Sequence, residues 1–126
     1  MELTIKAQSK GIRAARKAVK AAFATATAAV KAATVTPMTV VDTRNNRAYV
    51  VEGGVCGFAW VEVVRQEGAK ALLTAMAEKG LVAHYKGRAM VSHYGQSMAR
   101  AETFARAFAG SLRAAGYTVR AGSRID

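Results

Sequence analysis

Residues 55–64 read VCGFAWVEVV, and the reading of this stretch decides the fold. Valine and aromatic side chains dominate it, Gly53 and Gly54 break the chain in front of it, and no helix cap precedes it. It predicts a strand, apolar enough to lie at the centre of a sheet. Side chains alternate along a strand, so Gly57 and Ala59 share one face, where a helix could approach closely. Cys56, Phe58 and Trp60 share the other. The Val-rich surroundings and the few other aromatics assign Phe58 and Trp60 to the core. Were they exposed, they would form a stacking platform for single-stranded bases.

Reading toward the N-terminus, residues 39–43 and 48–52 form a strand pair with Asn45-Asn46 as its turn. A two-residue loop would set Arg44 and Arg47 opposite each other, an unfavourable pairing that water or a bound anion relieves. Toward the C-terminus, a helix over 67–79 turns Ala69, Leu72, Leu73 and Met76 inward and stops at Gly80. Residues 81–85 and 88–94 make a second hairpin around Lys86-Gly87. A last helix over 97–115, capped by Ser97, carries Met98, Ala101, Phe104, Ala105, Phe108, Leu112 and Ala115 as its buried stripe. Gly116 ends it, and a short strand over 117–120 precedes a polar tail. The expected fold is α+β: an antiparallel sheet covered on one face by a long N-terminal helix and the C-terminal helix. It forms one domain over 1–126, with a mixed β/α body over about 38–121.

The N-terminal helix spans about 10–34, with Ser9 as its expected cap. Residues 3–41 hold no acidic residue and seven basic ones, Lys6, Lys10, Arg13, Arg16, Lys17, Lys20 and Lys31. At about 100° per residue, Ile12, Ala15, Val19, Phe23, Ala26, Val30 and Ala33 gather on one side, and Lys10, Arg13, Lys17, Lys20 and Lys31 on the other. A surface helix tuned for stability interleaves Glu with Lys; this one does not. The whole chain carries nineteen Lys and Arg against eight Asp and Glu, a formal charge of +11. An excess of that size attracts polyanions. Arg100, Arg106 and Arg113 recur about every seven residues in the last helix and offer a second phosphate-binding strip, with Arg120 and Arg124 after it. The competing reading of both strips is ordinary solvated surface.

Catalytic and metal readings are weak. Cys56 with His84 or His93 would make a thiol and a base, but a strand cysteine is usually buried and inert. One Cys and two widely spaced His match no metal-ligand pattern. A Lys86-Gly87 turn would put the two histidines on the same hairpin face. The glycines of 53–57 lack the Gly-Lys-Ser/Thr ending of a P-loop and lead into a strand. Gly95-Gln96-Ser97 opens a helix, where capping is the simpler role. With one cysteine, no signal peptide and no apolar run long enough to span a membrane, the expected place is a reducing cytoplasm.

Cys56-Gly57-Phe58-Ala59-Trp60-Val61, Gly95-Gln96-Ser97 and the ending Ala121-Gly122-Ser123-Arg124-Ile125-Asp126 occur in that order. Over residues 48–126 the chain resembles a family of small uncharacterised proteins of tailed phages, especially those of actinobacterial hosts. The resemblance implies a phage origin, action in the host cytoplasm, and binding of host macromolecules over catalysis.

The sequence thus predicts a small basic nucleic-acid-binding protein without cofactor or enzyme activity. It contacts the phosphate backbone with low selectivity through Lys10, Arg13, Lys17 and Lys20, then Arg44 and Arg47, with Arg106 and Arg113 as the second strip. DNA is favoured over RNA because no exposed aromatic set is evident. The alternative is a host-directed module whose cationic helix docks on an acidic protein surface. A related alternative is self-assembly along Ile12, Val19, Ala26 and Ala33, spaced by sevens.

Overall fold

The computed structural model describes residues 11–33, 38–42, 47–51, 54, 56–95 and 97–125. The elements in chain order are α1 (Ile12–Ala32), β1 (Met38–Asp42), β2 (Arg47–Val51), β3 (Gly57–Val63), α2 (Ala69–Glu78), β4 (Ala83–Tyr85), β5 (Arg88–Met90), α3 (Met98–Ala114) and β6 (Val119–Ile125). The class is α+β. Four antiparallel strands form the main sheet in the order β4-β5-β3-β6, and β1 pairs with β2 in a separate two-stranded sheet. The VCGFAWVEVV strand is therefore interior, as its apolar content predicts.

One face of β3 is built from small side chains, and this lets α3 settle on the sheet. Gly57, Ala59, Val61 and Val63 are buried. A Cβ on Gly57 would lie 2.8 Å from Met98 Sδ and 2.6 Å from the Arg124 carbonyl, so glycine is required for α3 to start there. The Ser97 hydroxyl caps α3 by accepting from the Arg100 amide at 3.4 Å. Phe104, Phe108 and Leu112 of α3 are fully buried.

Alanine sets the position of α1. Ala15, Val19, Ala22 and Ala26, a row at helical spacing, are buried where α1 packs on α3 and α2. Side chains this short let helix axes come close. Phe23 reaches past them to Phe104, edge to face at 5.4 Å. Half of the seven-residue spine is consumed inside the fold: Val19 and Ala26 are buried, while Ile12 and Ala33 are exposed at the ends.

Several expectations are corrected. The cap position of α1 is Gly11, with no side-chain cap, so the helix begins two residues after the expected start at about residue 10; Ser9 lies outside the described residues. The polar tail is a strand: β6 runs to Ile125 and pairs with β3 along its whole length, Gly57↔Ile125 through Val63↔Val119. In the first hairpin Asp42 stands opposite Arg47. That register sets Asp42, not Arg44, opposite Arg47 and so departs from the expected two-residue turn at Asn45-Asn46. Lys86-Gly87 does form the second hairpin's turn, with both φ positive at 47° and 71°, but β4 and β5 are only three residues each and a bulge interrupts their pairing. His84 and His93 part company. His84 lines the sheet face turned away from α3, whereas His93 follows β5 and lies 5.4 Å from Phe23 and 5.5 Å from Phe104.

Candidate nucleic-acid interface

The basic face of α1 is laid out as the helical period requires. Arg13, Lys17, Lys20 and Lys31 are exposed, on the side opposite Ala15, Val19, Ala22 and Ala26. At ~1.5 Å per residue, Arg13 to Lys20 spans about 10 Å and Arg13 to Lys31 about 27 Å. Among the described residues no carboxylate pairs with any of these four. Arg16 sits at the edge of the group and is held elsewhere. Its Nε and Nη2 donate to both Glu78 oxygens on α2, at 3.0 and 2.9 Å. That fork keeps the Glu78 carboxyl below the usual carboxylate range and raises the Arg16 guanidinium further. The division on α1 is thus between one arginine that ties helices together and four cations with no partner described.

None of the other expected residues that the structure describes lies on α1. Lys10 and Arg44 lie outside the described residues. Arg47 is in the separate β1–β2 hairpin. Arg106 is exposed but ion-paired to Glu102 at 2.7 Å. Arg113 donates from Nη1 to the Val119 carbonyl at 3.1 Å, tying the end of α3 to the start of β6. Glu102 also accepts from the Ser123 hydroxyl at 2.6 Å. Arg106 and Arg113 are therefore both engaged on the β6 side of α3, while Arg100 of the same strip is half-buried near the helix start.

A second exposed surface lies where the sequence predicts core. On the sheet face turned away from α3, Phe58 is 39% exposed and Trp60 is half-buried, so neither is the core residue expected from its Val-rich neighbours. The ladder sets Arg124 opposite Phe58, Gly122 and Met90 on either side of Trp60, and Arg120 and Arg88 on either side of Glu62. Gly122 is a spatial necessity, since a Cβ there would stand 2.5 Å from the indole. The Arg88 guanidinium lies over the indole, 5.2 Å from its centroid, within cation–π range. Glu62 organises both neighbouring arginines, accepting from Arg88 Nε at 3.1 Å and from Arg120 through Nε at 2.8 Å and through Nη2. These bonds, Arg120 first and then Arg88, hold its carboxyl below the usual range.

One signal in the sequence could have exposed this face. Glu62 follows Phe58 and Trp60 at strand spacing and shares their side, and a carboxylate does not enter an apolar core unpaired. Cys56 is half-buried and bridges to Ser97 through the backbone. Among the described residues, no cluster of three or more His, Cys, Asp or Glu is placed to hold a metal, and no helix is long and apolar enough to cross a membrane.

Comparison with models of protein families, with curated proteins and with solved structures found no match.

Proposed function

We propose that the protein binds nucleic acid through its phosphate backbone, with α1 as the contact helix and without chemistry on the bound strand. The observation that carries this reading is the row of Arg13, Lys17, Lys20 and Lys31, exposed on one helix face with no acidic residue anywhere in α1. Each contact of such a cation with phosphate releases condensed counterions, which drives binding without reading bases. Duplex DNA is the proposed ligand of this helix, because its exposed face offers charge and no stacking group. On the motif resemblance, we place the protein among small phage proteins acting in the host cytoplasm.

The test is fluorescence anisotropy of labelled duplex DNA and single-stranded RNA with nuclease-treated protein, across a salt series. The reading expects dissociation constants of roughly micromolar and a log-linear weakening with salt. Absence of binding to both probes near physiological salt overturns it. A nuclease-resistant protein partner captured through α1 would replace it with docking on an acidic protein surface.

A further inference from the structure

We infer that the open sheet face binds unpaired bases of single-stranded nucleic acid, with Phe58 and Trp60 as stacking groups and Arg124 as the phosphate contact beside them. This inference rests on the proposed reading that the partner is nucleic acid, and it adds a second surface with a different selectivity.

Aromatic side chains in a soluble protein are commonly buried. Here two occupy alternate positions of the interior strand on the face that α3 leaves uncovered. Their spacing along β3 is about 7 Å, from ~3.4 Å per residue. That is about twice the ~3.4 Å rise per nucleotide of one strand, so bases seated on both rings are splayed apart. Only an unpaired strand presents its bases that way; in a duplex the base faces are covered by their neighbours. Four-stranded sheets that stack two or three bases on exposed aromatics are an established recognition mode.

Charge selects among the occupants of an apolar face. Among the described residues the rim carries Arg88, Arg120 and Arg124 against the carboxylate of Glu62. Two of these arginines are oriented by Glu62, while among the described residues Arg124 has no carboxylate partner and stands directly opposite Phe58. A second copy of the same face would bring arginines against arginines, which disfavours self-association there. A polyanion with flat apolar bases satisfies both the rings and the rim. Arg88 lies over one face of the Trp60 indole, and its guanidinium plane is itself a surface on which a base stacks.

α1 packs on α3 and α2, while α3 packs on β3 and β6, so the sheet face and the basic face of α1 are separate surfaces. A single-stranded segment on the sheet leaves the α1 row open for duplex phosphate.

Trp60 is the only tryptophan, so intrinsic fluorescence reports on this face alone. The experiment titrates the protein with oligomers of dT and of U and with a blunt duplex, reading Trp60 emission and anisotropy together. Stacking predicts quenching by the single-stranded oligomers and little change with duplex. Phe58→Ala, a change at an exposed position, should weaken single-strand binding about tenfold, the loss of one stacked base, and leave duplex binding unchanged. Arg124→Gln should weaken it less. Arg13→Glu/Lys17→Glu/Lys20→Glu should keep the full quenching amplitude. A stronger response to U than to dT would assign the strand as RNA, and the reverse as DNA; either supports the site. Oligomers that bind without altering Trp60 emission, and bind Phe58→Ala as tightly as wild type, overturn the inference and leave the α1 reading standing. No binding of any probe overturns both. Trp60 emission that changes with protein concentration alone assigns the face to a second copy and also overturns it.

Discussion

The outer face of α1 and the open face of the sheet are both exposed and both cationic, yet they are built differently. On α1, alanine supplies the packing and leaves Arg13, Lys17, Lys20 and Lys31 standing out, with no acid among the described residues to orient them. On the sheet, Glu62 fixes Arg88 and Arg120, Gly122 makes room for Trp60, and Phe58 stands beside Arg124. Unanchored charge raises the local concentration of a polyanion and accelerates encounter. Anchored charge beside flat rings restricts which polyanion fits. The pair teaches that net charge alone does not say where a ligand is discriminated.

The largest effect should come from removing one surface and sparing the other. Arg13→Glu/Lys17→Glu/Lys20→Glu is expected to weaken duplex binding roughly a hundredfold at moderate salt while the unfolding free energy from urea denaturation stays within ~0.5 kcal/mol of wild type, because all three side chains face solvent. A comparable loss of single-strand quenching amplitude would show that the two faces do not act separately.

Next in size is a change beneath α1. Ala22 is fully buried between helices, so Ala22→Leu overpacks the seam and should cost about 1–3 kcal/mol in urea denaturation. A neutral result would mean that α1 is not closely seated, and the fixed orientation of its basic row would lose its basis.

Gly122→Ala sharpens the comparison from the sheet side. Its Cβ would stand 2.5 Å from the Trp60 indole, so the ring must move, at a cost of about 1 kcal/mol. Trp60 emission should shift in the unliganded protein and single-strand binding should fall, with duplex binding unchanged.

The smallest effect is electrostatic. The Glu62 carboxyl is held below its ordinary value, first by Arg120 and then by Arg88. A depressed folded-state pKa contributes stability that is fully present above the unfolded value and lost as pH falls through the folded one. Glu62 is 12% exposed but its partners are 43% and 71% exposed, so solvent screening limits the contribution to about 0.5–1 kcal/mol. Glu62→Gln should therefore be slightly less stable than wild type at pH 7, and the difference should close as pH falls below the ordinary carboxylate range. A gap that widens in acid would contradict the assignment.

The parts of the fold legible in the sequence are those that local chemistry decides. Ser97 at the start of α3, positive φ at Gly80 and Gly116 where helices stop, and Lys86-Gly87 in the hairpin turn all act over a few residues. The small face of β3 was readable for the same reason, since Gly57 and Ala59 alternate with larger neighbours. What was not readable depended on distant partners. Ala121-Gly122-Ser123 has poor strand propensity, and only pairing with β3 makes it part of β6. Ser9 reads as a cap by residue type, but α1 starts after Gly11. Within the candidate site, the exposure of Arg13, Lys17 and Lys20 followed from the helical period, whereas the engagement of Arg106 and Arg113 depended on Glu102 and on the Val119 carbonyl. Phe58 and Trp60 were assigned to the core because two strand faces beside valines look alike until it is known which one α3 covers.

The most direct test of the central claim is the salt dependence of duplex DNA binding, measured side by side for wild type and Arg13→Glu/Lys17→Glu/Lys20→Glu. If these three side chains sit on phosphate, the slope of log affinity against log salt should be shallower in the variant by about three, at ~0.9 per contact. Equal slopes would show that the α1 row does not touch the DNA backbone and would contradict the account.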